Sequence, residues 1–314
     1  MTDVATLTMN PALDVATSTD KVVPADKLRC ASPRFDAGGG GINAARVVHE
    51  LGGTAVAVFP AGGMAGQALM RLLAEARLDC EAVPIAGATR ESFTVDEGST
   101  GQQFRFVLPG PELSETEQEA LLATIVGLSP VPRVLVMSGS FPPGLVPDFM
   151  ARVGAAVRQL GTRFILDTSG PALQAARGAF LVKPNLRELG EALGREVCGE
   201  ADEAAGAREL IAHGTAEVVL LSLGSRGALL VADGIEERLP PIPVVARSAV
   251  GAGDSMLGAV ALALAQGRSL AEAARYGMAA GAATLMTPGT ELCRRADVER
   301  LFTETSAQEG AAGG

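Results

Sequence analysis

Between Val250 and Ser255 the chain reads Val-Gly-Ala-Gly-Asp-Ser, directly before a run in which Leu257, Val260, Ala261 and Leu264 share one helical face. Glycines at a helix start leave backbone N–H groups unshielded, and the helix dipole adds partial positive charge there. Gly251, Ala252 and Gly253 are therefore candidates to hold a phosphoryl group. Asp254 stands where it could take a proton from an attacking hydroxyl. A plainer use of Asp254, as the N-cap of the helix, fits the same segment.

Two further segments have the composition of a binding site. Gly38-Gly39-Gly40-Gly41-Ile42-Asn43 leads into a helical pattern carried by Ala44, Val47, Val48 and Leu51. Four glycines could form a slack linker, but linkers rarely run straight into an amphipathic helix. Backbone without Cβ atoms lets a ligand approach closely, and Asn43 offers a donor and an acceptor to a sugar hydroxyl. Lys183-Pro184-Asn185-Leu186-Arg187-Glu188 follows a strand-like run. Asn185 and Glu188 could orient a hydrated Mg2+ beside nucleotide phosphates, or simply begin a helix with Pro and Glu in its first turn.

These segments need a frame, and the rest of the chain supplies one. Strands are expected at Val4 to Thr8, Ala55 to Phe59, Val134 to Met137, Phe164 to Asp167, Phe180 to Val182 and Val218 to Ser222, with a strand-like Pro243 to Ala246 before the Gly-Ala-Gly-Asp segment. Helical patterns fall between them near 65–76, 114–127, 147–160, 187–193 and 202–213, and Ser114 with Glu117 forms a capping box. Such alternation predicts an α/β fold, a mostly parallel sheet covered by helices on both faces. Residues 11–37 and 82–108 break the rhythm. Phe93 and Val95, then Phe104 and Phe106, alternate around Gly98 and Gly101, predicting a small antiparallel sheet inserted into the body. The reading is one α/β domain over 1–305, with the small sheet as a lid, a dimer surface or a merely decorative hairpin, and a disordered tail over 306–314.

Composition narrows the function. The 314 residues carry a formal net charge of −10 with 4% aromatic residues, which argues against a nucleic-acid partner. No apolar run approaches the ~18 residues of a membrane span, no signal peptide is visible, and the four cysteines are scattered without a Cys-x-x-Cys pair. A cytoplasmic protein without structural metal is expected. The chain also lacks a Gly-Lys-Ser/Thr phosphate loop, a dinucleotide fingerprint, a Gly-x-Ser-x-Gly elbow and a His-Glu-x-x-His motif. Only three lysines (Lys21, Lys27, Lys183) and three asparagines (Asn10, Asn43, Asn185) occur, and most lie in or near the segments above.

Taken together, Gly-Gly-Gly-Gly-Ile-Asn, Lys-Pro-Asn-x-x-Glu, Ser222-Leu223-Gly224, Gly-Ala-Gly-Asp and Gly289-Thr290 resemble the PfkB branch of the ribokinase-like sugar kinases, over essentially the whole chain from Thr8-Met9-Asn10-Pro11-Ala12-Leu13-Asp14 onward. Lys27-Leu28-Arg29-Cys30, Phe59-Pro60-Ala61-Gly62-Gly63 and Arg105-Phe106-Val107-Leu108-Pro109-Gly110 look most like the minor bacterial ATP-dependent 6-phosphofructokinases. The resemblance implies a ribokinase-like three-layer αβα domain with a β-lid. It implies phosphorylation of the 1-hydroxyl of fructose 6-phosphate by ATP, with Asp254 as base and the amides of Gly251, Ala252 and Gly253 stabilising the transferring group. Asp14, Gly39, Gly40 and Asn43 would hold the sugar hydroxyls. Arg90, with Lys27 of a second subunit, would bind the 6-phosphate, Arg105 adds substrate-binding positive charge in the same lid, and Ser140 lies where the family contacts substrate. Lys183, Asn185, Ser222, Gly224 and Gly227 would line the nucleotide, with Mg2+ held at Asn185 and Glu188 through water. A K+ site near the backbone of Ser248 and Val250 and a homodimer through the lid are implied as well.

Relatives acting on fructose 1-phosphate or tagatose 6-phosphate carry Lys at the second glycine of the run. Gly39 here favours fructose 6-phosphate over those alternatives. A non-catalytic sugar-phosphate or nucleotide sensor is disfavoured by Asp254, which a pure binder does not need. One departure stands out: Glu291 occupies a position that is basic in the minor phosphofructokinases, after a loop one residue longer.

Overall fold

The structure is a computed structural model and describes residues 2–24, 26–146 and 148–312, with the side chains of 306–312 left out. Its strands are β1 (Val4–Leu7), β2 (Ala12–Thr19), β3 (Arg34–Gly38), β4 (Ala55–Ala61), β5 (Asp79–Pro84), β6 (Arg90–Glu97), β7 (Gln103–Val107), β8 (Val134–Ser138), β9 (Arg163–Asp167), β10 (Ala179–Val182), β11 (Ala216–Ser222), β12 (Ala228–Ala232) and β13 (Ile235–Leu239). Its helices are α1 (Gly40–Glu50), α2 (Gly63–Glu75), α3 (Glu115–Val126), α4 (Phe149–Gln159), α5 (Gly170–Ala175), α6 (Leu186–Leu193), α7 (Glu200–Ala212), α8 (Ala252–Ala265), α9 (Leu270–Leu285) and α10 (Arg295–Ala312).

The main sheet runs β13-β12-β11-β10-β9-β8-β1-β4-β5, with β5 through β11 paired in parallel and β12 and β13 added antiparallel at one edge. Its strands are apolar runs rather than alternating ones because both faces are covered. Val4, Ala57, Val134, Ile165, Leu181 and Val218 pack into one core with α1, α2, α8 and α9. Ala5, Val58, Leu135, Phe164, Val182 and Val219 pack into the other with α3, α4, α6 and α7. Side chains one residue apart thus feed opposite layers, as the period of two requires. None of the described helices is long and apolar enough to cross a membrane.

Helix α8 is the element that matters most for the site. Every side chain from Ser255 to Ala265 is buried, so it reads as an apolar helix all round. Its last carbonyls are met by Arg133, whose Nη1 donates to Ala265 O at 2.7 Å, and by Arg163, whose Nη1 donates to Leu264 O at 3.3 Å. Against α1 it packs backbone to backbone: a Cβ on Gly258 would lie 2.6 Å from Ala44 O.

The smaller sheet has the order β3-β2-β6-β7. It corrects the expectation of an antiparallel sheet, because its central pair β2–β6 is parallel, with Ala12 opposite Arg90 and Asp14 opposite Ser92. The reason is directional. β2 leaves the end of β1 and β6 follows the end of β5, and those two strands point the same way in the main sheet. The outer pairs are antiparallel, and Phe93 faces Phe106 as Val95 faces Phe104. Residues 82–84 belong to β5 instead.

Two other expectations are corrected. Pro243 to Ala246 is irregular rather than a strand. Pro240, Pro241 and Pro243 lack the N–H groups a ladder needs, and Val245 is 86% exposed. The segment read as a disordered tail continues the backbone of α10 as far as Ala312, in keeping with the helix-forming Ala307, Gln308, Ala311 and Ala312. Gly313 and Gly314 lie outside the described residues.

Candidate active site

The alternative use of Asp254 as a helix cap does not occur. Gly251 is the N-cap of α8, in the left-handed conformation at φ 79°, and Asp254 is the third helical residue with no capping bond. Its Oδ2 instead accepts the Nδ2 proton of Asn43 at 2.8 Å. Asn43 is held in turn by Arg46, one turn along α1, whose Nη1 donates to Asn43 Oδ1 at 3.3 Å. Burial pushes the Asp254 carboxyl up to about 6; Asn43 and Lys183 pull it down, while Asp167 and Asp14 push it further up. The first intrahelical bond of α8 runs from Ser255 N to Gly251 O at 2.8 Å, so the N–H groups of Ala252, Gly253 and Asp254 have no partner within the helix. A carboxylate poised to accept a proton therefore stands beside an array of donors suited to an anion.

The glycine run is a close-packed wall, and not a linker. Gly39 has φ 125°, and a Cβ there would meet Thr8 Cγ2 at 2.6 Å. A Cβ on Gly38 would overlap the Asp14 carboxylate at 2.2 Å, and one on Gly40 would meet Ser138 Oγ at 2.4 Å. Asp14 on β2 lies opposite Asp36 on β3. Burial pushes its carboxyl up to about 6, opposed chiefly by Arg90 and Arg105. Asp14, Gly39, Gly40 and Asn43 thus stand close together where β2 and β3 meet the start of α1.

Near Asp254 lies a buried ion pair of which the sequence reading held only half. Lys183 is 6% exposed, and its Nζ is 3.3 Å from Asp167 Oδ1. Burial disfavours its charge, but Asp167, Asp254 and Glu188 outweigh that, and its pKa lies above the usual lysine value. Asp167, at the end of β9, also accepts the Ser138 hydroxyl at 3.3 Å. Asn185 and Glu188 form a reciprocal capping box on α6: Asn185 Oδ1 accepts from Glu188 N at 3.0 Å, and Glu188 Oε2 accepts from Asn185 N at 2.9 Å. Ser222 N donates to Pro184 O at 2.9 Å, which joins this helix start to the turn at Gly224–Arg226. Gly227 closes that turn at φ 89°, where a Cβ would strike Leu239 O at 2.0 Å.

Arg90, on β6, is fixed by backbone carbonyls. Its Nε and Nη2 donate to Asn10 O at 3.3 and 3.2 Å, and its Nη1 donates to Leu108 O at 3.2 Å. Ser140 accepts a bond from Asn10 Nδ2 at 3.2 Å. Arg105 is exposed on β7, close enough to Asp14 to act on its charge. Lys27 is not drawn into this group within one subunit; it is exposed on the irregular segment between β2 and β3. Arg46, Asp167 and the hub role of Asn10 were missed from sequence. Only the i,i+3 spacing of Asn43 and Arg46 on one helix face could have pointed to the first of them.

The chain is similar to known proteins over nearly its full length. The ATP-dependent 6-phosphofructokinase isozyme 2 of Mycobacterium tuberculosis is 52% identical over 300 residues, covering 95% of this chain and 88% of that protein. Phosphofructokinase-2 from Escherichia coli superposes with a TM-score of 0.92 in complex with potassium, at 41% identity, and 0.90 in complex with fructose-6-phosphate, at 40% identity. Each covers 98% of this chain and 100% of the other. A likeness of fold alone extends to ribokinase from Arabidopsis thaliana, at a TM-score of 0.76 and 20% identity. Residues 7–297 match the pfkB family carbohydrate kinases, and with a buried carboxylate set beside an open helix N-terminus on a ribokinase-like sheet, the chain belongs to that family.

Proposed function

We propose that the protein transfers the γ-phosphoryl group of ATP to the 1-hydroxyl of fructose 6-phosphate, giving fructose 1,6-bisphosphate and ADP by direct in-line displacement. The observation that carries the reading is the Asp254 carboxylate, bonded to Asn43 and adjacent to the unpartnered N–H groups of α8. As the sugar oxygen attacks phosphorus and the bond to the ADP oxygen breaks, the hydroxyl proton passes to Asp254. The amides at Gly251, Ala252 and Gly253, with the Lys183 ammonium, offset the charge on the transferring group. Asp14, Gly39, Gly40 and Asn43 hold the sugar. Arg90, Arg105 and Ser140 take the 6-phosphate, and Lys27 reaches it from a second subunit. Asn185, Ser222, Gly224 and Gly227 border the nucleotide.

The relative solved with fructose-6-phosphate supports this substrate, as does Gly39, whose positive φ and contact with Thr8 leave no room for a lysine. Comparing ADP release with fructose 6-phosphate, fructose 1-phosphate and tagatose 6-phosphate tests it. The expected result is the highest kcat/KM for fructose 6-phosphate. Preference for another sugar phosphate transfers the assignment to that substrate, and no turnover with any of them removes the kinase reading.

The nucleotide binds with a divalent ion, Mg2+, which supplies charge neutralisation at the phosphates. The residues suit an ion held through water. Glu188 commits Oε2 to the capping box, and its Oε1 lies 3.6 Å from Arg187 Nη2, with the Glu188 side chain 17% exposed. Among the described residues no group of three or more His, Cys, Asp and Glu could grip the ion directly. A K+ site at the backbone of Ser248 and Val250 is supported by the relative solved with potassium; there Ser248 Oγ bonds Gly289 O at 2.6 Å. A homodimer through the small sheet is supported by its exposed Phe35, Phe93, Phe106, Val107 and Leu108. The setting is cytoplasmic glycolysis.

Because Asp254 accepts a proton only when ionised, log kcat is expected to fall with about unit slope as pH drops through about 6. A kcat profile that stays flat across that range counts against Asp254 as the base.

A further inference from the structure

Asn10 lies on the connection from β1 to β2 and is buried, at 7% exposed. Yet two of the side chains assigned to the sugar phosphate rest on it, from positions 80 and 130 residues away in sequence. Its backbone carbonyl accepts Nε and Nη2 of Arg90, and Leu108 O accepts Nη1. A guanidinium has five N–H groups, so about one remains free on each terminal nitrogen of Arg90, the paired geometry that suits a phosphate.

The side chain does something different. Asn10 Nδ2 donates to Ser140 Oγ at 3.2 Å. A serine oxygen that accepts there keeps its own proton for another partner. Ser140 is exposed at the edge of the cleft, so that proton is available to a ligand acceptor. The amide is also held in one orientation. Its Oδ1 is buried without a partner and packs against Gly110, where a Cβ would lie 1.9 Å away. Turned over, the amide would bury two N–H donors at that place in exchange for one acceptor, which is the worse arrangement.

We propose that Asn10 is a positioning residue for the phosphate of the sugar substrate: its amide turns the Ser140 hydroxyl into a dedicated donor, while its carbonyl sets the free edge of Arg90. The proposal rests on the reading of Arg90 and Ser140 as the phosphate pocket. Both groups then present only hydrogen-bond donors, which matches a phosphate oxygen, an acceptor when ionised.

The test is a set of single and double variants assayed with fructose 6-phosphate and Mg·ATP. Asn10→Ala keeps the backbone carbonyl and removes only the amide. It is expected to raise KM for fructose 6-phosphate about 10-fold with kcat within about twofold. Ser140→Ala is expected to do the same, and the double variant no more than the larger single effect, because the two act through one hydroxyl. Asn10→Asp, of equal volume but with an acceptor facing Ser140, is expected to raise KM further than Asn10→Ala. Multiplying effects in the double variant, or a near wild-type KM in Asn10→Asp, would leave Asn10 a packing residue and overturn the proposal. Arg90→Ala separates the two levels. Unchanged KM in that variant sinks the phosphate pocket itself, whereas a raised KM there with unchanged KM in Asn10→Ala sinks only the role of Asn10. Should Asn10→Ala lose its fold, the comparison of Asn10→Asp with wild type decides alone.

Discussion

Asn in place of Asp254 is expected to lower kcat by about 10²–10⁴-fold while KM for fructose 6-phosphate stays near its wild-type value. The amide keeps the shape of the carboxylate but cannot take the proton released as the new O–P bond forms. In the proposed assignment sugar binding is spread over Asp14, Asn43 and the phosphate pocket, so affinity has other anchors. Steady-state kinetics with both substrates varied decides it, and turnover close to wild type refutes the base assignment. The same substitution is expected to raise thermal stability at neutral pH. The carboxyl is shifted up to about 6 from 3.8, so between those values the folded state binds more protons than the unfolded chain. Ionised Asp254 therefore weakens folding above pH about 6, and the stability gain of Asp254→Asn shrinks as pH falls through that window. Melting curves at pH about 7.5 and about 5 measure the difference.

Arg90→Ala is expected to raise KM for fructose 6-phosphate by about 10- to 100-fold, with much less effect on kcat or on KM for ATP. Arg90 comes pre-fixed by Asn10 O and Leu108 O, so little side-chain freedom remains to be lost on binding. Arg90→Lys is expected to recover only part of the loss, because an ammonium cannot span both carbonyls and still present a paired edge. Initial rates across sugar concentration give the answer. An Arg90→Ala enzyme with wild-type KM means that the phosphate binds elsewhere.

The motif-bearing turns were legible in the sequence because backbone geometry restricts their composition. Gly39 requires a left-handed φ, Gly227 a close approach to Leu239 O, and Asn185 with Glu188 a reciprocal cap. β1, β4 and β8 to β11 were legible because burial on both faces leaves continuous apolar runs. β5 was missed, since Asp79, Cys80 and Glu81 give it an edge-strand composition. The β12–β13 hairpin and α9 also went unread; α9 is built largely of alanine and glycine, whose weak contrast marks no face clearly. In the site, Asp167 was read only as the end of a strand. Its meaning comes from Lys183, one strand over in the sheet, and no local spacing shows that pairing. The parallel centre of the small sheet was hidden for a related reason: its direction is inherited from β1 and β5, not written in β2 or β6.

The contact between Gly258 and Ala44 O has a consequence for how such an enzyme can diversify. Asp254 lies one turn before Gly258 on α8, and Asn43 directly precedes Ala44 on α1. The gap between them is therefore gauged inside the core, by two backbones in contact, and ligand traffic in the cleft has little leverage on it. Arg133 and Arg163 anchor the far end of the same helix. In the proposed assignment the phosphoryl end of the site is a fixed anvil, whereas the sugar end also draws on a separate sheet, through Asp14 on β2, Arg90 on β6 and Arg105 on β7. A lineage can therefore retool which sugar it accepts by re-dressing β2, β3, β6 and β7, while the machinery that moves the phosphoryl group is inherited unchanged.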